Sequence, residues 1–247
     1  MNTRWLLFLF CALSFCATAA ESQKVTAMRA PEGGIQPQAA VDSRGVVHLI
    51  YFKGDAAGGD VFYVRRLPGE GDFSKPIRVN SQTGSVIAAG TIRGAQLALG
   101  KNNRVHVVWN GGKGATKAIV AGKEVTPLLY TRLNDSGVAF EPERNVITMV
   151  AGLDGGSAVA ADRVGNVYVF WHGSAPDNEE KEAGRAVFVA RSTDEGATFA
   201  PEQPVLKQRT GACACCGMKA MADAGGAVYL LYRAATGNTE RGETLLV

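Results

Sequence analysis

The stretch Arg191–Glu202, RSTDEGATFAPE, places Ser192, Asp194, Gly196 and Thr198 at alternate positions, with Phe199 directly behind them. It follows the β-like run AVFVA (186–190) without a break. Either the Asp194 carboxylate does chemistry or the stretch is a turn. The rest of the chain decides. Eight residues separate Arg191 from Phe199, and the same eight separate Arg132 from Phe140 and Arg65 from Phe73. Six residues after each phenylalanine stands a valine: Val79, Val146 and Val205. Asp135 and Gly137 repeat the acidic and glycine positions, whereas the first copy keeps only Gly69 or Gly71 and Phe73. A catalytic group is not copied along a chain in this way. A turn is: a short carboxylate accepts nearby backbone N–H groups, glycine supplies a positive φ, and the phenylalanine pins the turn to a core.

Working outward, four longer segments align with one another: AAVDSRGVVHLIYF (39–52), LALGKNNRVHVVWN (97–110), VAADRVGNVYVFWH (159–172) and AMADAGGAVYLLYR (220–233). His48, His106, Tyr168 and Tyr229 hold equivalent places at spacings of 58, 62 and 61. A second apolar block follows each segment, as DVFYVRR (60–66), PLLYTRL (127–133), AVFVARS (186–192) and, ending the chain, ETLLV. Each unit therefore reads as four strands in about sixty residues. Four-stranded units at such a period are the mark of β-propeller blades. The chain is expected to be all-β, with three units and most of a fourth.

STDEGATF resembles the Asp box of the sialidase, or BNR-repeat, superfamily, and the resemblance runs through nearly all of the chain after residue 20. It implies a sialidase-like propeller, of six blades in the full-length protein, so that the segment 21–247 is expected to be C-terminally incomplete. It makes Ser192, Asp194, Gly196, Thr198 and Phe199, with Asp135, Gly137 and Phe140, structural box residues. Sialidases open their first inner strand on Arg-Ile-Pro, whose arginine helps to hold the substrate carboxylate. Here the segment is GIQPQAAVD: Pro37 matches, Gln36 replaces the isoleucine, and Ile35 stands at the arginine's place. The resemblance therefore carries over the scaffold and leaves the sialic-acid clamp without its first arm.

Bulk properties narrow the setting. Residues 1–20 combine Arg4, the apolar run WLLFLFCALSF and the small residues ATAA, which is a secretory signal. Its apolar run is too short for a membrane span, and no other stretch reaches the length. The bulky Phe15 before Cys16 disfavours lipid attachment there. The protein is expected in the periplasm or outside the cell. A net charge of +3 gives no basic footprint for nucleic acid.

In a propeller the 2–3 and 4–1 loops share one face, and the 1–2 and 3–4 turns share the other. The 1–2 turns are uniform (DSRG, DRVG, DAGG), while the 2–3 loops differ: KGDAAGG, GGKGATKAIVAGKEVT, GSAPDNEEKEAGR and AATGNTERG. Varied loops are where function is expected. In the repeat alignment EGGI (32–35), GTIR (90–93), GLDG (152–155) and CACC (213–216) are equivalent, which gathers Arg93, Asp154 and the cysteines round one cavity, with His172, Lys219 and Arg233 as further ligand-face candidates. The acidic run DNEEKE (177–182) reads as a solvated loop, since it lacks the regular oxygen spacing of a calcium site. Tyr51, Trp109, Trp171 and Tyr232 recur in register and are expected in the core between blades.

Cys213, Cys215 and Cys216 all fall within CACC. In an exported chain two of them are expected to form a disulfide; a soft metal ion such as copper is the alternative, with Met218 or His172 as a further ligand. The function expected is a module that binds a glycan or protein through its loop face. The alternative is a glycoside hydrolase of the exo-sialidase type, with its remaining catalytic residues beyond Val247.

Overall fold

The computed structural model describes residues 25–90, 94–153, 155–174, 178–213, 215–237 and 240–247. The proposed secretory signal at 1–20, Arg93 and Asp154 lie outside these residues. The chain folds as a β-propeller built of antiparallel sheets, each following the order of the chain from its inner strand outward. The first sheet is β1 (Ile35–Val41), β2 (Val47–Asp55), β3 (Gly58–Arg66) and β4 (Ile77–Arg78). The second comprises β5 (Gln96–Leu99), β6 (Val105–Asn110), β9 (Leu128–Arg132) and β10 (Arg144–Asn145). A small hairpin, β7 (Ala118–Val120) with β8 (Lys123–Val125), sits in its 2–3 loop. The third is β11 (Ser157–Ala161), β12 (Val167–Gly173), β13 (Ala186–Ser192) and β14 (Gln203–Pro204). The last described sheet has three strands, β15 (Lys219–Ala222), β16 (Val228–Ala235) and β17 (Arg241–Leu246).

The inner strands stand side by side round an axis: β11 packs against both β5 and β15, and β1 packs against β5. Side chains on β1 alternate between exposed and half-buried, the pattern of a strand with one face toward water. Second strands behave differently. All six residues of β6, VHVVWN, are buried, because the strand is covered on both faces by neighbouring sheets.

Three apolar cores join the sheets. Ile50, Phe52, Val61 and Tyr63 of the first meet Val105, Val107 and Trp109 of the second. Val108, Leu128 and Tyr130 meet Val159, Val169 and Trp171. Phe170 and Val187 meet Met218, Leu230 and Tyr232. The register-equivalent aromatics Tyr51, Trp109, Trp171 and Tyr232 are all buried, Trp109 and Trp171 completely.

Turn chemistry closes each hairpin. Asp42 ends β1 and accepts the Arg44 and Val46 N–H groups through Oδ1, at 2.8 and 2.9 Å. Asp162 does the same for Val164, Gly165 and Asn166, and Asp223 for Gly225 and Ala227. Burial opposes the charge on Asp42, yet these donors and Arg44 outweigh it and hold the carboxyl at about 2.

The box at 192–199 is wired as a turn. Asp194 Oδ1 accepts from the Ser192 hydroxyl at 2.7 Å and from the Thr198 N–H at 2.9 Å, and its Oδ2 accepts from the Thr198 hydroxyl at 2.6 Å. Ser192 Oγ accepts the Gly196 N–H at 2.8 Å. The hydroxyls of Ser192 and Thr198 lead the group of bonds that lowers the Asp194 carboxyl to about 2. In the preceding copy the duty moves by one residue. Asn134 Oδ1 accepts the Val138 N–H and the Ser136 hydroxyl, while the exposed Asp135 turns outward to pair with Arg104. The neutral amide supplies the same acceptor, which frees Asp135 for a surface ion pair.

Asp194→Ala should therefore cost about 1–2 kcal/mol of stability, the net value of a lost turn network on a solvated surface. Urea melts of mutant and wild type measure it, and unchanged stability would reject the structural role.

Candidate functional site

At the loop-face mouth of the axis, three inner strands converge on one ammonium group. Lys219 opens β15, Gln96 opens β5, and Gln38 lies in β1; with Ala158 of β11 they share one register in the repeat. Lys219 Nζ donates to Gln38 Oε1 at 2.8 Å and to Gln96 Oε1. These bonds join residues 181 and 123 positions apart, so only the closing of the blades round the axis makes the cluster. Lys219 is exposed and makes no ion pair among the described residues. Partial desolvation draws its ammonium below the ordinary lysine value.

The approach to this cluster is shaped by the opening of β1. The strand bulges between Ile35 and Gln38, and Gln36 takes a φ of +50°, a left-handed value that a non-glycine residue rarely adopts. Gln36 Nε2 donates to the Ala88 carbonyl at 3.0 Å and to the Gly90 carbonyl, while its Oε1 is buried without a hydrogen-bond partner. Gly94 lies against it: a Cβ there would come within 2.6 Å of that oxygen and push the Gln36 amide aside. Ile35 is 52% exposed and supplies no charge.

A second concavity on the same face, about 540 Å³ in volume, lies between the second and third sheets. Thr126, Gly152, Ser174, Asn178, Lys181 and Arg185 line it. Its wall, the loop between β12 and β13, is organised by Asn178, whose Nδ2 donates to Ser174 Oγ and to the Lys181 carbonyl. The described acids of the run 177–182 are partly consumed locally. Glu182 pairs with Arg185 and Arg241, and Glu180 pairs with Arg209. The opposite end of the axis holds a polar cavity of about 550 Å³ ringed by the 1–2 turns, and the Asp42, Asp162 and Asp223 carboxylates there already serve their own backbones.

Of the ligand-face candidates, Lys219 stands at the open axis. His172 is only 1% exposed, within β12 and paired in register with Val187. Arg233 is half-buried on β16, with Nε donating to the Gly242 carbonyl at 3.3 Å. The structure adds Gln38 and Gln96, whose signal in the sequence is their shared register with Lys219. His48 and His106 are both buried, each with its Nδ1 against the hydroxyl of a third-strand tyrosine: Tyr63 at 2.8 Å and Tyr130 at 2.6 Å. Burial above all, then Arg104 and Arg132, lowers His106 to about 3, so it is neutral at physiological pH.

The cysteines lie in the loop before β15. Cys213 is fully buried, Cys216 half-buried and Cys215 exposed, and all three are free thiols. Among the described residues no helix is long and apolar enough to cross a membrane.

The chain matches no protein-family model and no curated protein. Among solved structures it is similar to a xylan β-1,4-xylosidase from Bacillus halodurans C-125, at 16% identity over 83% of this chain and 38% of that one, with a TM-score of 0.46. It is similar to a PL25 ulvan lyase at 14% identity over 85% of this chain and 54% of the other, TM-score 0.46. The Hadza microbial sialidase Hz136 follows at 12% identity, over 73% and 41%, TM-score 0.42. The chain thus spans between 38% and 54% of the length of these three proteins.

Proposed function

We propose that this chain is an exported glycan-binding propeller that takes an acidic sugar at the loop-face mouth of its axis. The observation that carries the proposal is the convergence of Lys219, Gln38 and Gln96 from three inner strands. An ammonium without a carboxylate partner suits a sugar carboxylate, since a charge-assisted hydrogen bond is about twice as strong as a neutral one. Primary amides both donate and accept, which matches vicinal hydroxyls.

The described inner strands offer amide and ammonium groups for recognition. IQPQAAV, QLAL, SAVAA and KAMA hold no Asp, Glu or Tyr. Glycoside hydrolysis needs a pair of carboxylates across the scissile bond, or in sialidases a tyrosine nucleophile.

Isothermal titration with uronic-acid and neutral oligosaccharides of equal length tests this. The acidic series should bind, and Lys219→Ala should weaken it about 10- to 100-fold, the loss of one charge-assisted bond, with the melting temperature unchanged. Equal affinity for neutral sugars, or an unaffected Lys219→Ala, would reject the site.

A further inference from the structure

The loop before β15 holds three sulfur atoms that the acidic-sugar site does not use. Cys213 Sγ is 3.2 Å from Cys215 Sγ and 3.2 Å from Cys216 Sγ, and all three sulfurs lie within 4.8 Å of one another. We propose that Cys213, Cys215 and Cys216 form a three-thiolate site for a thiophilic d¹⁰ cation, copper(I) or zinc(II).

Geometry supports a shared centre. Three sulfurs each about 2.3 Å from one ion in a plane stand about 4 Å apart, and Cys213 Sγ, at 3.2 Å from each neighbour, needs to move outward by under an ångström to admit one. No pair is singled out: Cys213 is equally near both neighbours, whereas a disulfide needs one pair at about 2.05 Å and leaves the third thiol over.

The loop is also held in place for this. The Cys213 N–H donates to the Arg233 carbonyl at 2.9 Å, and the Ala212 N–H donates to the Glu182 carbonyl at 3.0 Å. The Cys216 N–H returns to the Cys213 carbonyl at 3.3 Å, folding the three side chains to one side. Cys213 is buried while Cys215 is exposed, so the cluster has a fixed floor and an open entrance.

Charge is arranged round the sulfurs as well. Arg241 Nη2 donates to Cys215 Sγ at 2.9 Å, while its Nη1 is held by Glu182 at 2.6 Å. No carboxylate or imidazole joins the group among the described residues. An all-sulfur donor set selects soft ions over magnesium or calcium.

The reduced, metal-free chain should be titrated separately with copper(I), against a chromophoric chelator, and with zinc(II). Uptake of one ion per chain in either arm is expected, and the arm with tighter binding identifies the ion. X-ray absorption of that complex should show three sulfur neighbours. Cys215→Ser removes an exposed ligand without touching the core and should weaken binding at least 100-fold. Three results would overturn the proposal: no stoichiometric uptake in either arm, fewer than three sulfur neighbours, or a Cys215→Ser chain that binds like wild type.

Discussion

Gly196→Val should destabilise the protein by about 3–4 kcal/mol, well beyond the effect of losing Asp194 from the same turn. Two costs add. Gly196 has a φ of +83°, where a side chain meets its own backbone at about 1–2 kcal/mol. A Cβ at this position would also overlap the Tyr130 hydroxyl of the adjacent sheet. Tyr130 cannot retreat, because its ring lies edge-on to Phe199 and its hydroxyl is bonded to buried His106. Forced overpacking of this kind costs about 1–3 kcal/mol. Gly226→Ala is the control: its φ is +87°, yet nothing lies within 4 Å of the added carbon. Urea unfolding should show the control losing only the backbone part. Equal losses in the two mutants would mean that the Tyr130 contact is unimportant.

Glu202→Ala should cost a similar amount, about 3–4 kcal/mol, although it lies in a polar stretch just before the two-residue strand β14. The side chain is only 2% exposed. Its carboxylate accepts N–H groups from Thr148, Met149 and Val150, at 3.1, 2.7 and 2.8 Å, and the Thr148 hydroxyl at 2.5 Å. Removal leaves several donors without an acceptor at once, and hydrogen bonds to a charged group contribute about 1.5–3 kcal/mol each. The same contact recurs one blade earlier, where the half-buried Glu143 accepts from Ser81 and Gln82; Glu143→Ala should lose less.

This acceptor also sets an acid limit on stability. Burial works against the Glu202 charge, but the hydroxyl and N–H donors prevail and hold the carboxyl below its ordinary 4.5. A lowered folded value means that the stabilisation is complete above pH 4.5 and fades as the pH falls through the folded value. Unfolding free energy measured from pH 7 down to pH 3 should decline below pH 4.5 in the wild type. Glu202→Gln should decline less steeply, and identical slopes would remove Glu202 from the account.

The strands and their order were legible because every unit repeats two local signals: apolar runs of strand length and the turn residues between them. The 192–199 turn was legible in detail, since the bonds among Ser192, Asp194, Gly196 and Thr198 lie within seven residues. Asn134 was not, because Asp135 has the right charge at the aligned position and only geometry shows which acceptor faces the turn. Glu143 and Glu202 follow a proline in polar runs, EPE and APE, that look solvated; their partners lie far back in the chain. The tyrosine partners of His48 and His106 were hidden for a related reason, as pairing across strands is set by register rather than by neighbourhood. The repeat aligns Lys219 with Gln38 and Gln96, while the burial of His172, at the end of an apolar strand, depends on packing that the sequence does not display.

The Glu143 and Glu202 contacts have a direction. Each reaches back to the blade made before it, across 62 residues to Ser81 and 54 to Thr148. Phe140 against Tyr63 and Phe199 against Tyr130 point the same way. On a ribosome adding about 5–20 residues per second, each blade waits roughly 3–12 s for the acceptor that secures its outer edge. During that interval its outermost strand, two residues long in the three four-stranded sheets, offers little ladder for a neighbouring nascent chain to join. The brevity of those strands thus protects each unit while the next is being synthesised.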